Sequence, residues 1–136
     1  MKSAAKFLAA AALGVALLGW SNSSAQENPV NWNAVSKNLV RSLTTGNEGL
    51  RQSAMDFYIQ HADKLDINDA VYEVMHVYRN SKNDREQKLA LVTLYKMQNK
   101  WAMEFLKVDL RFQDSAELKR MVAAIVQEYE AKKKSS

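Results

Sequence analysis

Apolar residues recur three and four positions apart along most of this chain, in six separate runs. Val35, Leu39 and Leu43 mark the first, over residues 31–44. Leu50, Ala54, Phe57, Tyr58 and Ala62 mark the second, over 48–63. Ile67, Ala70, Val71, Val74, Met75 and Tyr78 mark the third, over 67–80. Leu89, Ala90, Thr93, Leu94 and Met97 mark the fourth, over 84–98. Trp101, Ala102, Phe105, Leu106 and Phe112 mark the fifth, over 100–112. Leu118, Met121, Val122, Ile125, Val126 and Tyr129 mark the sixth, over 115–131. This spacing puts each apolar set on one side of a helix and fits no strand. The only proline is Pro29 and no glycine follows Gly49, so little interrupts the helices.

The helix starts carry their own signals. A cap side chain accepts a free backbone amide, and an acidic side chain three places on can answer the cap's own amide. Thr45 with Glu48, Asn83 with Glu86, and Asp114 with Glu117 fit that rule, and Asp66 with Asp69 fits it loosely. All four fall where an apolar run restarts, so local and long-range patterns agree. In the stretch TTGNEGLRQSA, Thr44 to Ala54, Gly46 is expected to end the first helix in the left-handed conformation. The stretch lacks a dinucleotide fingerprint and a P-loop, no strand precedes it, and Glu48 would face a bound anion. It reads as a turn between packed helices.

The second, fourth and sixth runs resemble one another. NEGLRQSA (Asn47 to Ala54) aligns with NDREQKLA (Asn83 to Ala90), 36 residues later. DSAELKRMVA (Asp114 to Ala123) follows after about 33 more, its register open by one residue. A period in the thirties with two helices per unit indicates an α-solenoid. NEGLRQSA resembles the turn and second-helix start of HEAT-type repeats, with Asn47 as cap, Leu50 and Arg51 as the apolar–basic pair, and Ala54 as the small residue. The second unit departs from it, with Glu86 and Gln87 where that pair is expected. The third unit keeps a pair (Leu118, Lys119) but has Val122 at the small position. The expected fold is all-α: three antiparallel helical hairpins stacked as a short HEAT-like solenoid over residues 26–131. The resemblance implies a scaffold that binds protein or peptide partners along one face.

The first 25 residues read as a secretory signal peptide. Lys2 and Lys6 precede an uncharged apolar run, Phe7 to Trp20, and Ser23 and Ala25 are the small residues of a cleavage site. The expected mature chain begins at Gln26 in the periplasm or outside the cell. With no cysteine it is neither a lipoprotein nor disulfide-bonded. Its net charge is +2, and the body is −1 once Lys132, Lys133 and Lys134 of the basic tail 132–136 are set aside. Nucleic acid is therefore not an expected partner. The three lysines complement a helix C-terminus and at most attract anionic lipid weakly.

Chemical signatures are few. His61 and His76 have no cysteine partner and no zinc spacing. Asp63, Asp66, Asn68 and Asp69 lack the ligand alternation of a calcium loop. No nucleophile motif occurs. The chain is thus expected to be non-catalytic, with no cofactor and no metal. Aromatics exceed what the core stripes need: Tyr72, Tyr78, Tyr95, Trp32 and Trp101. Tyr72, His76 and Arg79 share a helical face, and Arg111 beside Phe112 is a further candidate for the same partner-binding surface. The leading expectation is an exported adaptor for a protein or peptide. The alternatives are a membrane-associated envelope factor using the lysine tail and, behind it, a hydrolase.

Overall fold

The computed structural model describes residues 29–135, and those residues form six helices and no strand. They are α1 (Trp32–Thr44), α2 (Glu48–His61), α3 (Ala70–Asn80), α4 (Asp84–Met97), α5 (Lys100–Asp109) and α6 (Ala116–Ser135). All lie in one of the two units into which the chain divides, Trp32–Ser136. The expected signal peptide lies outside the described residues.

Short polar side chains start the helices, though not always those expected. Of the two cap residues the sequence offers for α2, Asn47 accepts the Leu50 amide at 3.0 Å, while Thr45 Oγ1 accepts the amide of Asn47. Asn83 accepts the Arg85 and Glu86 amides at 2.8 and 3.2 Å to open α4. Asn99, with no matching acid three places on, accepts the Ala102 amide to open α5. Ser115, rather than Asp114, accepts the Leu118 amide at 3.2 Å near the start of α6. Each such cap stabilises its helix by about 1 kcal/mol. Asp66 does not open a helix: it accepts the Asn68 amide in a local turn, and α3 begins only at Ala70. Gly46 does not take the left-handed conformation. That conformation occurs instead at Gln98, φ 51°, where α4 ends.

Two further ends differ from expectation. α5 stops at Asp109 because the chain tightens there, with Arg111 and Phe112 donating to the carbonyls of Val108 and Asp109. α6 continues through Lys132, Lys133 and Lys134 to Ser135, so the lysines are its last turn.

The helices pack selectively. α1 lies along α2 and α3, α2 along α4, α4 along α3 and α6, and α5 along α6 with smaller contacts to α3 and α4. Neighbours of like parity run in the same direction. Tyr72 at the start of α3 meets Trp101 at the start of α5, and Tyr78 near the end of α3 meets Asp109 at the end of α5. Glu48 and Arg51 in the first turn of α2 meet Asn83 and Glu86 at the start of α4. Lys88 of α4 meets Glu117 of α6.

Burial follows the caps. Seven positions after Asn47, Asn83 and Ser115 stand Ala54, Ala90 and Val122, all buried; eleven positions after them stand Tyr58, Leu94 and Val126, also buried. With Met55, Val71, Val74, Tyr78, Leu91, Met103 and Leu106 they make one core. Each valine, leucine or methionine of this set contributes about 1.5–3 kcal/mol by leaving water, and each alanine about 1 kcal/mol or less.

Candidate functional site

α5 is apolar on two sides, and only one of them is fully buried. Ala102, Met103 and Leu106 are buried against the rest of the molecule. Trp101, Phe105 and Val108 fall within an arc of about 60° on another side, and Phe112 stands in the turn that follows the helix. Trp101 is 41 % exposed, Val108 56 % and Phe112 70 %, while Phe105 is half-buried. The sequence assigns Trp101, Phe105 and Phe112 to the core stripe of this helix. The structure corrects that assignment for Trp101 and Phe112, which with Val108 are exposed, whereas Phe105 is half-buried and packs against the core as expected. The i, i+4, i+7, i+11 spacing of 101, 105, 108 and 112 was the signal, hidden because residues 102, 103 and 106 carry an equally regular one.

α3 widens this strip. Tyr72, 54 % exposed, packs on Trp101 with ring centroids 4.6 Å apart, and Trp101 meets Phe105 at 5.9 Å. The Arg79 guanidinium lies over the Phe105 ring at 5.2 Å. Such tilted ring pairs and cation–π contacts each contribute about 1 kcal/mol beyond burial. Tyr72 and Arg79, one and a half to two turns apart on the helix, thus join the aromatic residues of α5. Arg111 is exposed between Val108 and Phe112 at the other end of the strip. His76 is exposed on the same outward side of α3 but leans toward α1: Asn80 Nδ2 contacts its Nδ1 at 3.2 Å, and it lines a separate cleft.

That cleft, about 300 Å³, lies between the end of α1, the following turn, and α3. Its floor is an ion pair. Arg51 Nε and Nη2 donate to the two Glu86 oxygens at 2.6 and 3.0 Å, and Nη1 donates to the Thr45 carbonyl at 3.0 Å. The Ser81 hydroxyl donates to Glu86 Oε1 at 2.6 Å. Glu86 is 1 % exposed and Arg51 20 %. The two-pronged hydrogen bond from Arg51, with help from Ser81, holds the Glu86 carboxyl below the ordinary carboxylate range despite burial. The same contact raises Arg51. Glu86, at the place where the sequence comparison expects an apolar residue, is a carboxylate of α4 that pairs with the arginine of α2.

Other polar groups are also committed internally. The Tyr78 hydroxyl donates to Asp109 at 2.5 Å and accepts from Gln113 Nε2 at 2.7 Å, tying the ends of α3 and α5 together. Burial first, and the Asp109 carboxylate second, push its ionisation well up. Burial, with Asp66 and Asp69 nearby, likewise pushes the Tyr58 hydroxyl up to about 12. His61 packs on Phe57 at 4.6 Å and Trp32 at 5.6 Å. Among the described residues, no group of three or more His, Cys, Asp or Glu side chains could hold a metal ion. Nor is any helix there long and apolar enough to cross a membrane. Lys132 donates to the Tyr95 hydroxyl at 3.0 Å and lies over its ring, and Lys133 approaches Glu130 and the Tyr129 ring.

Comparison with protein-family models, with curated proteins and with solved structures found no match to this chain.

Proposed function

We propose that this protein is a non-catalytic, exported adaptor whose three hairpins stack as a short HEAT-like solenoid, and that it holds a protein or peptide partner on the outward side of α3 and α5. The observation that carries the reading is the second apolar stripe of α5. A helix needs one apolar side to fold against its neighbours; Trp101, Val108 and Phe112 lie outside that need and stay exposed. Exposed aromatic residues in one contiguous patch with arginines are the composition of protein-binding surfaces. The stacking reading is supported by like-parity neighbours running in the same direction and by buried residues at equal distances from successive caps. Non-catalytic use is supported by the way Arg51 with Glu86, and Tyr78 with Asp109, satisfy one another. Two of the three terminal lysines make contacts within the chain, which favours the adaptor over a lysine-driven membrane factor.

The test is affinity capture from the cell envelope with the exported protein and with its Trp101→Ser, Phe112→Ser variant. Both residues are outside the core, so the variant keeps its helical circular dichroism. Partners held by the native protein and absent from the variant support the reading. Identical capture by the two would sink it.

A further inference from the structure

The strip on α3 and α5 is not electrically neutral. The Arg79 guanidinium carbon lies 5.2 Å from the Phe105 ring centre, and its side chain is exposed, so its N–H donors are open to a further acceptor. Arg111 stands beside Phe112, exposed. Among the described residues, no ion pair or side-chain hydrogen bond engages either guanidinium. Of the acids of these helices, Asp109 accepts from Tyr78, Glu104 lies 3.7 Å from Lys107, whose closer partner is Glu130 at 2.8 Å, and Glu73 lines the cleft toward α1. An aromatic surface with two uncommitted guanidinium groups at its edge calls for carboxylates on what covers it.

Resting on the adaptor reading above, we infer that the partner segment is acidic and amphipathic: a short helix whose aliphatic side chains lie on Tyr72, Trp101, Phe105 and Val108, with carboxylates reaching Arg79 and Arg111. Length agrees with this. From Trp101 to Val108 the helical part of the strip spans about 10 Å, or about two turns of a bound helix. Charge argues against a second copy as occupant, because strip against strip about a two-fold axis would bring the arginines of both copies together, with Glu104, itself 3.7 Å from Lys107, as the acid on that side of α5. It also separates the strip from the terminal lysines, which lie on α6 and contact α4 rather than α3.

The experiment uses the chain without residues 1–25 and two labelled synthetic helical peptides with the same leucine face. One carries glutamates beside that face and the other carries glutamines. Fluorescence anisotropy at low and high salt reads their affinities. The glutamate peptide is expected to bind about five- to tenfold more tightly at low salt, and the preference to shrink as salt screens it. Arg79→Gln with Arg111→Gln should remove the preference while the glutamine peptide binds as before. Trp101→Ser should weaken both peptides. Equal affinity for the two peptides overturns the acidic inference and leaves the adaptor reading standing. Failure of both to bind, together with envelope capture that is indifferent to Trp101→Ser, Phe112→Ser, overturns both. Vesicles of mixed neutral and anionic phospholipid provide the last arm. Binding to them that depends on Arg79 and Arg111 would reassign the strip to a membrane surface and overturn the inference.

Discussion

Replacing Arg51 by Met and Glu86 by Leu, separately and together, should give unequal and non-additive losses of stability. Glu86 is 1 % exposed, so Arg51→Met strands a carboxylate with only the Ser81 hydroxyl for support. Breaking a buried pair this way costs about 3–5 kcal/mol, and the adjoining cleft lets water relieve some of it, so about 3 kcal/mol is expected. The converse change is milder. Arg51 is 20 % exposed and keeps its bond to the Thr45 carbonyl, while leucine matches Leu50 and Leu118 at the equivalent distance from their caps. Glu86→Leu should therefore cost about 1 kcal/mol. With both changes no charge is stranded, and the double variant should lie within about 1 kcal/mol of the native chain. Urea unfolding followed by far-ultraviolet circular dichroism measures all three. With a slope of about 1.5 kcal/mol per molar, Arg51→Met lowers the midpoint by about 2 M. Losses that are equal for the two single variants, or that simply add in the double, would refute the account of this pair.

The same pair fixes the sign of an acid effect. Because folding lowers the Glu86 carboxyl, its contribution is present above about pH 4.5 and is lost as pH falls through its folded value; the stability gap between native and Glu86→Leu chains should narrow over that range, read by unfolding at successive pH values. Leu106→Ala should cost about 2–5 kcal/mol, whereas Trp101→Ser on the same helix should cost about 1–2 kcal/mol, because Leu106 is fully buried while Trp101 is 41 % exposed and loses its contacts with Tyr72 and Phe105. Tyr78→Phe removes the bonds to Asp109 and Gln113 and should cost about 1–2 kcal/mol, seen as a lower melting temperature. Gln98→Gly relieves a left-handed backbone and should raise the melting temperature, equivalent to about 1 kcal/mol.

The helix count was legible because an apolar stripe restarts six times and a polar cap signal marks four of those restarts, and both obey local rules. Boundaries were less so. α3 begins late because Asp66 spends its carboxylate on a turn, a choice that depends on neighbours such as Ser36, whose hydroxyl accepts the Asp66 amide across 30 positions. The Arg51–Glu86 pair was half visible: Glu86 stood out as a misfit in its own unit, and only the side-by-side placement of α2 and α4 turns the misfit into a partner. The surface strip was visible in its α3 half, through Tyr72 and Arg79. Its α5 half was concealed because a helix with two apolar stripes does not say from its own sequence which one is buried. That choice is made by α6 and α3, which cover Ala102, Met103 and Leu106 and leave Trp101, Val108 and Phe112 outside.

That choice is also where the account is most directly tested. A photo-activated crosslinking residue at Val108, in this protein in intact cells, should yield one discrete protein adduct. The same residue at exposed Arg120 on α6 should yield none. Adducts at both positions alike, or at Arg120 alone, would contradict the claim that the outward side of α3 and α5 is the surface this protein uses.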